Sequence, residues 1–139
     1  MSLERINDFA NRIQRIADES ITTALDKASY IVENKAKELC PVGDSGQLRQ
    51  SISHRVEDRT GYVYTNVHYA PYVEYGTGIH AIHGNGRRTP WSYQDLKGEW
   101  HTTVGMQPIP YLHPALEQSR QEVVQVFRTQ LQRELQNHI

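Results

Sequence analysis

LCPVGDSGQLRQSISHRVE, residues 39–57, contains the change of period that sets the fold class. Before it, apolar residues recur at steps of three and four. Pro41 ends that pattern, because proline lacks the amide a helix needs and restricts the residue before it. Gly43, Asp44, Ser45 and Gly46 read as a turn. Beyond it Leu48, Ile52 and Val56 fall on one side, and Arg49, Ser51, Ser53, Arg55 and Glu57 on the other. That alternation predicts a strand with one wet face.

Upstream, Leu3 to Leu39 contains no Pro or Gly. Its apolar residues Leu3, Ile6, Phe9, Ile13, Ile16, Ala24, Ala28, Ile31 and Leu39 form a helical stripe. One helix of this length would run roughly 55 Å, at about 1.5 Å per residue. A compact domain of this size is only about 35–40 Å across. The helix therefore either breaks, with Ser20–Thr23 the weakest stretch and Thr23–Asp26 an imperfect capping box, or it needs a partner. In the second case Leu3, Ile6, Phe9 and Ile13 are the candidate interface, because the later half adjoins the sheet in sequence.

Downstream, Asp58-Arg59-Thr60-Gly61 reads as a hairpin turn with Gly61 at positive φ. Tyr62 to Tyr69 follows as an antiparallel strand. Pro71 to Tyr75 suits a helical turn, stopped by Gly76-Thr77-Gly78. Ile79 to Thr89 has no periodicity and reads as a mobile loop. Trp91–Tyr93 and Trp100–Thr103 fit a second hairpin closed by Asp95-Leu96-Lys97-Gly98. Pro108 and Pro110 mark extended chain. Pro114 suits the first residue of a helix striped by Leu116, Val123, Phe127, Leu131 and Leu135. The expected fold is α+β, with a single domain over 1–139. Residues 1–40 are helical and possess the weak point at 20–23. Residues 47–104 form a small antiparallel sheet of about four strands with a mobile loop at 79–89. A C-terminal helix over 114–137 packs on the sheet.

Composition narrows the function. Hydrophobic residues make up 37% of the 139 residues, and eight tyrosines outnumber two phenylalanines. A thin core with amphipathic rings suits half-buried sheets and protein interfaces. The formal charge of −1 gives no long-range pull toward nucleic acid or anionic membrane. No apolar run is long enough for a transmembrane helix, and the polar helical start does not resemble a signal peptide. The lone Cys40 cannot form an internal disulfide, which fits folding in a reducing cytoplasm.

The chemistry-bearing residues form no recognisable site. His80 and His83, with His101 and His113, have zinc-compatible spacing but lack a Cys pair or a hydrolase Glu, so loop histidines are expected and no metal. Cys40 with a histidine, or Ser45 with Asp44, lacks any nucleophile elbow. Gly76-Thr77-Gly78 and Gly84-Asn85-Gly86 precede no helix that would bind phosphate. Arg87-Arg88 near Trp91 is a small basic patch that can grip single strands, though a solvated loop explains it as well. Glu74 lies among Tyr69, Tyr72 and Tyr75. It either carries a raised pKa through burial or accepts amides of the Gly76–Gly78 turn, and the second is expected. No catalytic residue and no cofactor are assigned.

Three segments carry a family resemblance. Residues 41–52, PVGDSGQLRQSI, resemble the "P-V-D-T-G-x-L-R-x-S-I" segment of the tail-completion, or head–tail joining, proteins of long-tailed bacteriophages. Residues 69–78, YAPYVEYGTG, are similar to that family's "Y-A-x-Y-V-E-x-G-T-G". Residues 110–116, PYLHPAL, resemble its "P-F-L-x-P-A-L". The resemblance spans about Ala28 to Phe127. Gly43 stands as a one-residue insertion, and Ser45 replaces the usual Thr. The positions carried over are Pro41, Gly46, Leu48, Ser51, Tyr69, Ala70, Glu74, Gly76, Thr77, Gly78, Pro110, Pro114, Ala115 and Leu116, all with structural roles.

The resemblance implies a virion or prophage protein, assembled in the bacterial host cytoplasm, that joins head to tail as a homo-oligomeric ring. Its partners would be other phage neck and tail proteins. It implies no enzyme activity, no cofactor, no membrane and no sequence-specific nucleic acid, although genome DNA would pass through the ring. The competing readings are a stand-alone protein- or RNA-binding module and, more remotely, a small hydrolase.

Overall fold

A computed structural model describes residues 3–43, 46–95 and 97–138. Asp44 and Ser45 of the expected turn, Leu96 of the second hairpin and the side chain of Leu3 lie outside the described residues. The fold is α+β. Helix α1 spans Leu3–Leu39 and α2 Gln47–Ser51. Strands β1 (Ser53–Glu57) and β2 (Thr60–Tyr64) follow, then α3 (Ala70–Tyr75) and a 3-10 turn at Gly78–His80. Strands β3 (Trp91–Gln94) and β4 (Trp100–Thr103) precede the last helix, α4 (Leu112–His138). Instead of one four-stranded sheet there are two antiparallel pairs, β1–β2 and β3–β4.

The chain forms two compact units. The first gathers α1 as far as Lys35, Ser53–Tyr64 and α4 from Ala115 onward. Its helix α1 does not break at Ser20–Thr23, and Thr23–Asp26 caps nothing. Ser20 is only 2% exposed and fills the stripe between buried Ile16 and Ala24. Its hydroxyl donates to the Ile16 carbonyl at 2.7 Å, so the polar group is satisfied within the helix. Small buried residues (Ser20, Ala24, Ala28, Ser29) let neighbours approach closely.

The β1–β2 hairpin is fastened to α1 at three levels. Arg59 pairs with Asp18 at 2.6 Å. Gly61 lies so close to Ser29 and Leu25 that a Cβ there would collide with the Ser29 hydroxyl. His54 meets Asp26 at 3.2 Å and Glu33 at 3.4 Å. The turn corrects the sequence expectation. Glu57 pairs with Thr60, so the loop is Asp58-Arg59, and these two hold the positive φ of 49° and 60° while Gly61 sits in the strand. The glycine is needed for close approach to a helix rather than for a left-handed turn.

β2 also ends earlier than expected, at Tyr64. The Thr65 hydroxyl accepts the Val67 amide at 3.2 Å, replacing a strand partner. Helix α4 meets α1 between Ala17 and Ile31, where Lys27 donates to Gln130 at 2.9 Å. The buried line of α4 is Ala115, Ser119 and Gln130, whereas Leu116 is 52% exposed, contrary to its expected place in the stripe. Pro114 stands third in the helix, still inside the first turn where its missing amide breaks no bond.

The second unit comprises Ala36–Ile52 and Thr65–Pro114. Leu48 lies in a helix, not a strand, and only the residues from Ser53 are extended. Leu48 and Ile52 are four apart, a step that satisfies the strand period and a helical turn alike. Both are buried, at 3% and 1% exposure. Gly46 precedes the helix with φ 66°.

Candidate functional site

The most organised polar arrangement is built around Glu74, on α3, which is 3% exposed. Its carboxylate accepts the amides of Tyr111 at 2.7 Å, Leu112 at 3.0 Å and His113 at 2.9 Å. These amides open α4, and a helix start offers unsatisfied N–H groups and a positive dipole end that an anion stabilises. The expected partners, the amides of the Gly76–Gly78 turn, are not used. The Gly76 amide bonds the Tyr72 carbonyl and the Thr77 amide the Met106 carbonyl. With its oxygens accepting three N–H groups, Glu74 is a helix cap and not a poised base.

Around that cap the second motif segment runs beside residues 104–109, the stretch that leads into the third. The Ile109 amide donates to Val73 at 2.8 Å, Ile79 donates to Val104, and the Met106 amide donates to the Thr77 hydroxyl at 2.8 Å. A Cβ on Gly78, at φ 61°, would run into the Val104 carbonyl. The first motif is tied in beside them. Arg49 donates to the Cys40 carbonyl at 2.8 Å, Ser51 meets the Thr65 hydroxyl at 2.5 Å, and the Tyr69 hydroxyl donates to Gln47 at 3.5 Å. Pro41 leads into this loop, and Ala70 is a buried residue at the start of α3. Pro110 precedes the capped amides. Thus Pro41, Gly46, Leu48, Ser51, Tyr69, Ala70, Glu74, Gly76, Thr77, Gly78, Pro110 and Pro114 all fall in the second unit, and Ala115 and Leu116 in the first. Tyr111 is fully buried, its hydroxyl has no hydrogen-bond partner among the described residues, and burial pushes its pKa up to about 12. Burial likewise pushes the Cys40 thiol up, which makes it a poor nucleophile.

The four histidines weighed as zinc ligands form no shared donor group among the described residues. His80 contacts Gln107 at 3.0 Å, while His83 and His113 each lie against the Tyr75 ring. His101 pairs with Asp95 at 2.7 Å. Asp95, Glu99 and His101 are the one group of potential metal donors that converges among the described residues. Asp95 also accepts the amides of Lys97 and Glu99, so it closes the β3–β4 turn. The His101 hydrogen bond, followed by the Glu99 amide, holds its carboxyl below the usual range.

Two surfaces remain open. Tyr72, Tyr75, His83, Arg87 and Trp91 line a cavity of about 500 Å³, with the Arg87 guanidinium 5.7 Å from the Trp91 ring centre. On α1, every described side chain over residues 4–12 is exposed, including Ile6 and Phe9 at about half their surface, and Ile13 is half-buried. No helix among the described residues is long and apolar enough to cross a membrane.

Residues 4–76 match the model of a family described as "Bacteriophage HK97-gp10, putative tail-component". The chain belongs to this HK97-gp10-like family of phage tail components. The match takes in the first two motif segments nearly whole, and the third lies beyond it. No curated protein and no solved structure matches the chain.

Proposed function

We propose that the protein joins head to tail in a tailed phage particle, acting as a ring through protein–protein contacts and catalysing no reaction. It is a virion component assembled in the host cytoplasm, and its partners are copies of itself and other neck and tail proteins. The observation that carries the reading is the exposed Ile6–Phe9 surface. It continues the face of α1 that is buried from Ile16 onward, so it is an apolar face left for another polypeptide. The family-motif residues from Pro41 to Pro114 serve by holding the second unit together, with Glu74 as the central tie.

The test is a phage with a nonsense mutation in this gene. It should yield filled heads and separate tails, and the wild-type protein should restore joined particles. Infectious particles made without the protein would overturn the reading. A second reading, a binding module for single-stranded nucleic acid, is favoured only by Arg87 beside Trp91. It requires oligonucleotide binding that weakens steeply with salt.

A further inference from the structure

The β3–β4 hairpin has two different faces. Trp91 pairs with Thr103 and Gln94 with Trp100, and successive side chains alternate from one side of the ribbon to the other. The Tyr93–His101 ring stack marks the side of Trp91. The Ser92–Thr102 hydroxyl contact at 3.1 Å marks the side of Trp100. There Trp100 keeps 70% of its surface exposed. An indole is a large apolar group, and tryptophan is among the side chains enriched as interface anchors.

Trp91, on the other side, is part of the wall of the cavity of about 500 Å³, where Tyr72, Tyr75 and His83 supply further rings. That volume lies within the range of about 300–1,000 Å³ typical of sites that enclose a ligand. Arg87 completes the wall. Its Nε donates to Thr89 at 3.1 Å and its guanidinium stands 5.7 Å from the Trp91 ring centre, and among the described residues it has no other partner. No carboxylate lines the cavity. A hole walled by rings, with a guanidinium open to it, fits a flat aromatic group, which gains ring–ring and cation–π contacts there. The chain's own Trp100 does not reach it. It stands opposite Gln94, on the far face of the ribbon and about 10 Å along it from Trp91.

We propose that Trp100 of one copy inserts into this cavity of a second copy, stacking beside Arg87 and Trp91. A two-fold pair in which both indoles insert needs knob and hole on one surface. Here they lie on opposite faces of the hairpin, which gives a head-to-tail contact instead. Such a contact closes into a ring, or grows into a filament, according to the rotation per subunit. The inference rests on the ring proposed above and assigns the residues that close it.

The experiment places photoreactive benzoylphenylalanine at position 100 of the full chain during phage assembly. Irradiated particles should yield a cross-link from position 100 to residues 72–91 of another copy, identified by mass spectrometry. In solution, Trp100→Ala removes the knob, and Tyr72→Ala with Arg87→Glu spoils the hole. All three side chains are exposed, and circular dichroism checks the fold. Each variant should self-associate at least about 30-fold more weakly, by sedimentation velocity. Mixed, the two should form one-to-one dimers and nothing larger, because each pair holds one intact knob and one intact hole. Where the free chain stays monomeric, the particle cross-link decides alone. A cross-link to a different protein or to nucleic acid, or none, would overturn the proposal. So would Trp100→Ala restoring joined particles at the wild-type yield. The two levels separate cleanly. Joined particles from the nonsense phage fail the head–tail reading itself, whereas unjoined heads and tails without the cross-link fail the knob alone.

Discussion

The Glu74 carboxylate accepts the Tyr111 amide at 2.7 Å, across 37 positions of sequence. Because it accepts Leu112 and His113 as well, one side chain satisfies three amides at the start of α4. Glu74→Ala should lower the unfolding free energy by about 2–3 kcal/mol, since buried donors lose a charged acceptor. Glu74→Gln should fall between, keeping one acceptor oxygen and losing the charge. Urea unfolding measures both. An unchanged midpoint for the alanine variant would mean that water replaces the carboxylate without penalty.

Gly78→Ala should be more damaging than an ordinary glycine replacement. The backbone there is left-handed, and the new methyl group would meet the Val104 carbonyl. Positive φ in a non-glycine residue and the collision together should lower stability by about 2 kcal/mol or more. Gly43→Ala is the control. It shares the positive φ but has open space around the added atom, so the difference in melting temperature isolates the contact.

The β3–β4 turn should loosen in acid. Asp95 has a folded pKa below its ordinary value, so its contribution is present above the ordinary carboxylate range. It is lost as pH falls through the lowered folded value. Amide exchange at Lys97 and Glu99 should therefore accelerate between about pH 4 and pH 2, relative to the intrinsic rate. Asp95→Asn should remove that acid response. Identical pH profiles for the variant and the wild type would show that the turn does not depend on the charge.

Trypsin should cut first at Arg87 or Arg88. The expected loop over 79–89 has a tied half and an open half. Amides of Ile79, His80, Ala81, Ile82 and Gly84 donate to backbone carbonyls, and among the described residues no such bond is made by the amides of residues 85–89. Mass spectrometry of early fragments identifies the cut. Initial cleavage in α1 instead would point to fraying of the exposed helix.

The sequence made the elements legible where one period alone fitted. The β3–β4 hairpin is an example, since Trp91 to Gln94 and Trp100 to Thr103 pair as their spacing suggests. It misled where two periods coincided, as at Leu48 and Ile52. Ser20 looked like a weak point because helix propensity ranks serine low, yet a small side chain that bonds its own turn suits a crowded face. Asp58 and Arg59 took the left-handed positions expected of Gly61, because Gly61 was required against Ser29. That Glu74 accepts backbone amides was legible, but which amides was not. Local pattern offers only neighbouring amides, and the ones it caps are brought in by extended pairing of residues 104–109 with 73–79.

The long reach of the Glu74 cap also bears on the order of folding. Asp58-Arg59 closes its hairpin within two residues, a local event on the microsecond scale. The cap cannot form until the intervening chain has closed its loop, and such closure is entropically unfavourable before the contact exists. Bonds made that late are largely absent from the transition state. Removing the carboxylate would therefore show chiefly as faster unfolding, leaving the refolding rate nearly unchanged.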